Sequence, residues 1–162
     1  MMQRNMAATL AAALLAALPA LAQDPTTVRE VDVEADLTAI QNPAAATYWT
    51  DVAEDLENAI VARVTDRTDP DGVRISVDIA EVSLASMFEN LTDAADTRMV
   101  GQVNVTSDTD NTKFNSYELT VSIEEALPFF PQGTVIATVR RDTPEYYRAM
   151  VEAFADAVVR RL

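Results

Sequence analysis

The sequence predicts an α+β domain: a two-layer sandwich in which two helices pack on one face of a mostly antiparallel sheet of four or five strands. Several segments alternate between apolar and polar residues, as half-buried strands do. Two other segments place apolar residues three and four positions apart, as amphipathic helices do. The segments follow in the order strand, helix, three or four strands, helix. Because each strand has one apolar face and each helix one apolar stripe, two layers bury all of them.

A secretory signal peptide precedes the domain. Arg4 provides a short positive region, Met6–Leu18 is a nearly unbroken apolar run, and residues 20–22 (Ala-Leu-Ala) fit a small-residue cleavage site. The run is too short for a membrane-spanning helix, which needs about 20 residues. We therefore expect residues 1–22 to be removed and the mature chain to carry no integral membrane segment. An Ala/Leu-rich signal is typical of bacteria, so we expect a secreted protein of the bacterial periplasm.

The first strand and helix follow a loose polar lead at 23–27. Apolar and charged residues alternate from Glu30 to Ala39, and the charges suit the edge of a sheet. Asn42 and Pro43 then provide an N-cap and a first helical residue for a helix of about 20 residues. The next strand would run parallel to the first, after a crossover. The apolar stripe of this helix comprises Trp49, Val52, Ala53, Leu56, Ile60 and Val64.

Three further strands and a final helix complete the domain, which spans 28–162. Residues 73–79 alternate, and a switch of apolar parity at Val82 and Leu84 predicts a β-bulge near Ala80. Residues 98–106 and 116–123 also alternate, and the polar run between them predicts a hairpin. Thr134–Val139 is predicted as a short fifth strand. The final helix starts at Thr143-Pro144 and carries a stripe that includes Phe154.

The composition excludes most catalytic chemistry. The chain has no His and no Cys, so His-activated nucleophiles and the usual zinc, haem and iron–sulfur ligands are missing. Three glycines are too few for a phosphate-binding loop. Carboxylate chemistry remains, but the acids that we can place lie on solvated faces. We expect a protein that is not an enzyme and that carries no cofactor.

The net charge of −14 argues against binding to nucleic acid or to an anionic membrane surface. A solvated surface that keeps molecules apart is one interpretation, and a surface for a basic partner or a cation is the other. Acidic turns at 66–71 and 108–111 are candidate cation sites. An EF-hand alignment of the first turn places Arg67 where an acid is expected and Asp78, on a strand, where the bidentate Glu should be. A helix-to-strand turn is the favoured interpretation, and cation binding at either turn stays open.

Two apolar segments break the regular pattern and suggest a function. Phe129 and Phe130 stand between prolines, which forbid a regular helix or central strand, and Met87 and Phe88 follow the expected bulge. They either close the ends of the core or dock a partner. The leading hypothesis is a soluble, non-enzymatic interaction module of the cell envelope. It would bind another envelope protein through these four residues or through the acidic sheet face.

The alternative hypothesis is a carrier of a small apolar or amphipathic ligand. The ligand would lie between the helices and the sheet, in a pocket formed by Trp49, Phe88 and Phe154.

Overall fold

A four-stranded mixed sheet with helices packed on one face forms the domain, which confirms the predicted α+β class. The structure is a computed structural model that describes residues 25–89 and 97–162, so the expected signal peptide lies outside the described residues. The strands are β1 (Val28–Ala35), β2 (Val73–Ile79), β3 (Arg98–Thr106) and β4 (Asn115–Ser122), adjacent in that order. The helices are α1 (Pro43–Tyr48), α2 (Val52–Val64), α3 (Glu81–Glu89) and α4 (Pro144–Val159).

The strand pairing follows the predicted topology. β1 runs parallel to β2, whereas β2 and β3 pair in antiparallel fashion, as do β3 and β4. β3 and β4 form the expected hairpin. The charged β1 lies at an edge of the sheet, as its alternating acids indicated. Odd-numbered residues of β2, β3 and β4 face α2 and α4, and their even-numbered neighbours form an open polar face. At Gly101 on the inner face, an added Cβ would lie 3.0 Å from the ring of Phe154, so the missing side chain makes room for that ring.

The predicted single helix after Asn42 is wrong, because the chain divides it into α1 and α2. Asn42 caps α1 as expected, and its Oδ1 accepts a hydrogen bond from the Ala44 amide at 3.0 Å. The break falls at Trp49, whose indole is fully buried and whose Nε1 donates to the Leu84 carbonyl of α3 at 2.9 Å. The buried N–H needs this acceptor, which lies on another element and not within the helix.

The predicted bulge near Ala80 is also wrong, because β2 ends at Ile79 and α3 follows. Leu84 and Met87, three residues apart, are fully buried, whereas Val82 is 70% exposed. The change of parity was therefore a change from strand to helix periodicity. The Ser83 hydroxyl joins α3 to the sheet by accepting a hydrogen bond from the Val100 amide at 3.2 Å.

The predicted fifth strand at Thr134–Val139 is not formed, since Ile136–Thr138 is a 3₁₀ helix. The Thr138 hydroxyl donates to the Val135 carbonyl at 2.8 Å and closes the turn locally. The first strand also differs from its prediction, because it ends at Ala35 and not at Ala39. Leu37–Ala39 is a 3₁₀ helix whose start is capped by the side chain of Asp36.

Candidate functional site

The connection between β4 and α4, residues 123–143, is the longest between consecutive strands and α-helices in the part of the chain that the structure describes. This β4–α4 loop contains two three-residue 3₁₀ helices, Leu127–Phe129 and Ile136–Thr138. Connections longer than about 12–15 residues with little regular structure are uncommon in compact domains and are often functional. The loop ends at Thr143, whose hydroxyl accepts a hydrogen bond from the Tyr146 amide and caps α4, as the sequence predicted.

The two adjacent phenylalanines of this loop have different environments. Phe130 is 8% exposed, and its ring centroid lies 6.5 Å from that of Tyr146 in α4. Phe129 is half-buried against the core. Phe130 therefore fixes the loop to α4, while Phe129 remains partly accessible.

The apolar residues that the loop presents to solvent are Leu127 and Val135. The exposed fraction is 60% for Val135 and 37% for Leu127. The pattern at Thr134–Val139 predicted a strand, so the sequence did not identify Val135 as an exposed loop residue. Pro131 and Gly133 just before it were the available signal for a turn.

A cleft of about 260 Å³ lies beside these residues, between the loop and the start of α4. Phe130, Val135 and Val139 contribute apolar walls. Arg140 contributes charge, and its Nη2 donates to Asp142 Oδ2 at 2.8 Å. This hydrogen bond lowers the pKa of the Asp142 carboxyl. The cleft thus combines apolar walls with charged and hydroxyl groups, and protein interfaces combine the same kinds of surface.

Met87 and Phe88, the second predicted contact segment, lie on α3. Met87 is fully buried, and Phe88 is half-buried with its ring centroid 5.4 Å from that of Tyr48. Tyr48 also contacts Trp49 at 4.8 Å and Tyr147 at 5.7 Å. This aromatic cluster ties α1 to α3 and α4.

The hydroxyl groups of the aromatic cluster are satisfied within the fold. Tyr48 donates to the Thr143 carbonyl at 2.8 Å, and Tyr147 donates to Asp55 at 2.6 Å. Burial is the main cause that raises the pKa of both phenols above the ordinary value. Both are therefore neutral hydrogen-bond donors at physiological pH, with a structural role.

The three residues of the alternative ligand pocket pack against other parts of the fold. Trp49 and Phe154 are fully buried, and Phe154 packs over Gly101 of β3. Trp49 and Phe88 both pack against Tyr48 within the aromatic cluster. Four clefts formed by the described residues have other linings, and none of these four is lined by Trp49, Phe88 or Phe154.

The open sheet face carries three acids in one register row. Glu34 on β1 lies beside Asp78 on β2, and the neutral Gln102 on β3 separates Asp78 from Glu118 on β4. A neighbouring pair is neutralised, because Arg74 contacts Glu30 at 2.8 Å. Like charges on adjacent strands repel each other, so this face has a local negative potential.

Asp69 of the first acidic turn, and Asp108 and Asp110 of the second, have partners within the chain. Asp69 accepts a hydrogen bond from the Asp71 amide at 2.8 Å, and Asp108 pairs with Arg29 at 2.6 Å. Asp110 accepts from the Thr112 hydroxyl at 2.6 Å, and this bond lowers the pKa of Asp110. Among residues 25–89 and 97–162, no three acidic side chains converge as a metal centre would require.

Within the part of the chain that the structure describes, no helix combines the length and the apolar character needed to cross a bilayer. A comparison of the chain with known protein families, with curated protein sequences and with solved structures finds no match.

Proposed function

We propose that this protein is a secreted, non-enzymatic interaction module of the bacterial cell envelope that binds a protein partner through the β4–α4 loop. One observation carries the proposal: a loop of this length presents Val135 to solvent beside a cleft with apolar and polar walls. Exposed apolar surface next to a concave site is a common feature of docking surfaces.

The anchoring of the loop supports this proposal. Phe130 packs on Tyr146, and the Thr134 hydroxyl donates to the Pro131 carbonyl at 2.7 Å. A loop that is already held in one conformation loses less conformational entropy on binding than a mobile one. The exposed residues of the loop are thus presented on a preorganised support.

The other surfaces have less support as the primary contact. Met87 has no accessible surface in the described fold, and Phe88 is held by Tyr48. The ligand-carrier alternative has less support too, because Trp49 and Phe154 are packed against their neighbours. The open sheet face is polar, and it is a candidate for a secondary contact with a basic partner.

A matched pair of variants tests the proposal. Val135→Asp places a charge in the loop, whereas Val82→Asp makes the same change on α3 at a residue that is 70% exposed. Both changes avoid buried positions, so both variants are expected to fold, which circular dichroism checks. Phe130→Ser is unsuitable, because it would remove a buried contact with Tyr146.

The assay is affinity capture from the native envelope with mild cross-linking, followed by mass spectrometry. We expect a partner that the unmodified protein and Val82→Asp both retain and that Val135→Asp loses. An identical set of captured proteins for all three would rule out the β4–α4 loop as the docking surface.

A further inference from the structure

The cleft beside the β4–α4 loop has room for one large side chain. Its volume is about 260 Å³, and Phe130, Val135 and Val139 provide its apolar walls. An apolar cavity of about 150 Å³ holds one benzene molecule, whereas pockets for drug-sized ligands start at about 300 Å³. The volume of the cleft therefore suits a single aromatic side chain of a partner better than a whole small-molecule ligand.

The hydroxyl groups around the cleft donate their protons within the chain. Three threonines line the cleft, and each donates a hydrogen bond to a nearby backbone carbonyl: Thr134 to Pro131 at 2.7 Å, Thr138 to Val135 at 2.8 Å, and Thr143 to Arg140 at 2.9 Å. A hydroxyl group has one proton and two lone pairs. A hydroxyl that already donates can therefore only accept a hydrogen bond from an incoming group.

Other donors of the lining residues are also engaged. The backbone amides of four lining residues donate to carbonyls of the loop: Phe130 to Leu127 at 3.1 Å, Thr134 to Pro131 at 3.2 Å, Thr138 to Val135 at 2.9 Å, and Val139 to Ile136 at 3.0 Å. The Arg140 side chain donates from Nε and Nη2 to the Asp142 carboxylate, at 3.2 and 2.8 Å. The cleft therefore offers a partner mainly hydrogen-bond acceptors.

The charge of the cleft has the same preference. Arg140 and Glu145 are the charged residues that line it. Asp142 offsets the charge of Arg140, so the exposed carboxylate of Glu145 gives the cleft its net charge. The whole chain carries a net charge of −14, which adds to this negative potential. A basic group of the partner is therefore complementary to the cleft.

We propose that the cleft binds a tyrosine or tryptophan side chain of the partner, which a lysine or arginine adjoins in the partner sequence. The aromatic ring would pack against Phe130 and Val135, and its O–H or N–H would donate to the threonine hydroxyls. The basic neighbour would lie beside Glu145. Trp, Tyr and Arg are also the residues that most often dominate binding energy in protein interfaces. The inference rests on the proposed function, because it names the chemistry of the partner that the β4–α4 loop would bind.

Three matched dipeptide amides test this preference on the mature chain. The first is N-acetyl-tyrosyl-arginine amide. The phenylalanyl-arginine analogue lacks only the hydroxyl group, and the tyrosyl-glutamate analogue reverses the charge. Binding is followed in ¹⁵N-labelled protein through the amides of Gly133 and Thr134, which line the cleft, with Gly72 in the β1–β2 pair as the control.

We expect the tyrosyl-arginine probe to bind most tightly. Loss of one hydrogen bond should raise Kd about twofold to tenfold for the phenylalanyl analogue. Glu145→Gln should weaken binding of the tyrosyl-arginine probe about twofold to fivefold, as loss of an exposed ion pair does. Glu118→Gln changes an exposed acid of β4 that does not line the cleft, so its Kd should equal that of the unmodified protein. Equal affinity for the three probes, or no shift of Gly133 and Thr134 up to the solubility limit, would overturn the inference.

A second measurement uses the partner itself. A photoreactive phenylalanine analogue in place of Val135 cross-links the captured partner, and mass spectrometry identifies the attached peptide. We expect a tyrosine or tryptophan next to a lysine or arginine in this peptide, and a peptide without one would contradict the inference. Loss of the partner by Val135→Asp together with equal binding of the three probes would overturn this inference alone. Retention of every captured protein by Val135→Asp would overturn the proposed function as well.

Discussion

Gly72 permits the close approach of two backbone segments at the start of the β1–β2 pair, and its replacement by Ala is the most direct test of the fold. A Cβ at this position would lie 2.7 Å from the carbonyl oxygen of Thr27 and 2.8 Å from the carbonyl carbon of Val28. Both contacts are with backbone atoms, so no side-chain rotation relieves them. The backbone of one segment must move.

The structure determines what this movement breaks. The Val73 amide donates to the Thr27 carbonyl at 2.9 Å, and the Asp69 amide donates to the Val28 carbonyl at 3.0 Å. Loss of both hydrogen bonds costs about 1–3 kcal/mol. Val28 is itself buried, and its partial displacement from the core adds up to about 1.5–3 kcal/mol. We therefore expect Gly72→Ala to lower the free energy of unfolding by about 2–5 kcal/mol.

Urea denaturation of the mature chain measures this difference, with Gly133→Ala as the control. Gly133 has a φ of +86° and no atom within 4 Å of an added Cβ, so its replacement introduces backbone strain of about 1–2 kcal/mol and no clash. A loss at Gly72 no larger than that at Gly133 would refute the reasoning from close backbone contact.

Three further predictions concern the buried indole of Trp49, the two buried phenols and the start of the mature chain. Trp49→Phe removes the indole donor to Leu84 and part of a fully buried ring, so urea denaturation should show a loss of about 1–3 kcal/mol; an unchanged stability would contradict a structural role. Because burial raises the pKa of Tyr48 and Tyr147 in the folded state, their contribution to stability is present below about pH 10 and is lost as the pH rises above it. Tyrosinate absorbance should therefore rise together with alkaline unfolding, and a separate rise in the folded protein would count against this assignment. The secreted protein should begin at Gln23, and N-terminal sequencing of the protein from the periplasm checks the cleavage site.

Local periodicity predicted an element correctly where its buried residues follow the apolar pattern of the sequence. β2 and α4 formed as predicted, and Asn42 and Thr143 cap their helices with their side chains. These features depend on neighbours within a few positions along the chain. The sequence therefore contains the necessary information.

Periodicity failed where one short pattern fits two structures. The apolar residues around Leu84 and Met87 fitted a displaced strand as well as a helix, and packing against Trp49 and Tyr48 selected the helix α3. The predicted strand at Thr134–Val139 failed for a related reason. A strand needs a neighbour to pair with, and local hydrogen bonds from threonine hydroxyls closed turns instead.

The candidate site was likewise predicted in part from the sequence and in part only from the fold. The prolines beside Phe129 and Phe130 identified an irregular apolar loop from the sequence alone. Only the fold decided that Phe130 packs on Tyr146 and that Val135 faces solvent.

The sequence by itself thus determined the α+β class, four of the strands and the starts of α1 and α4, because these depend on side-chain alternation and capping over short stretches. The tertiary structure decided the break at Trp49, the helix at 81–89 and the accessible part of the β4–α4 loop. Each of these depends on a hydrogen-bond acceptor or an apolar surface from a distant part of the chain, which local sequence patterns do not specify.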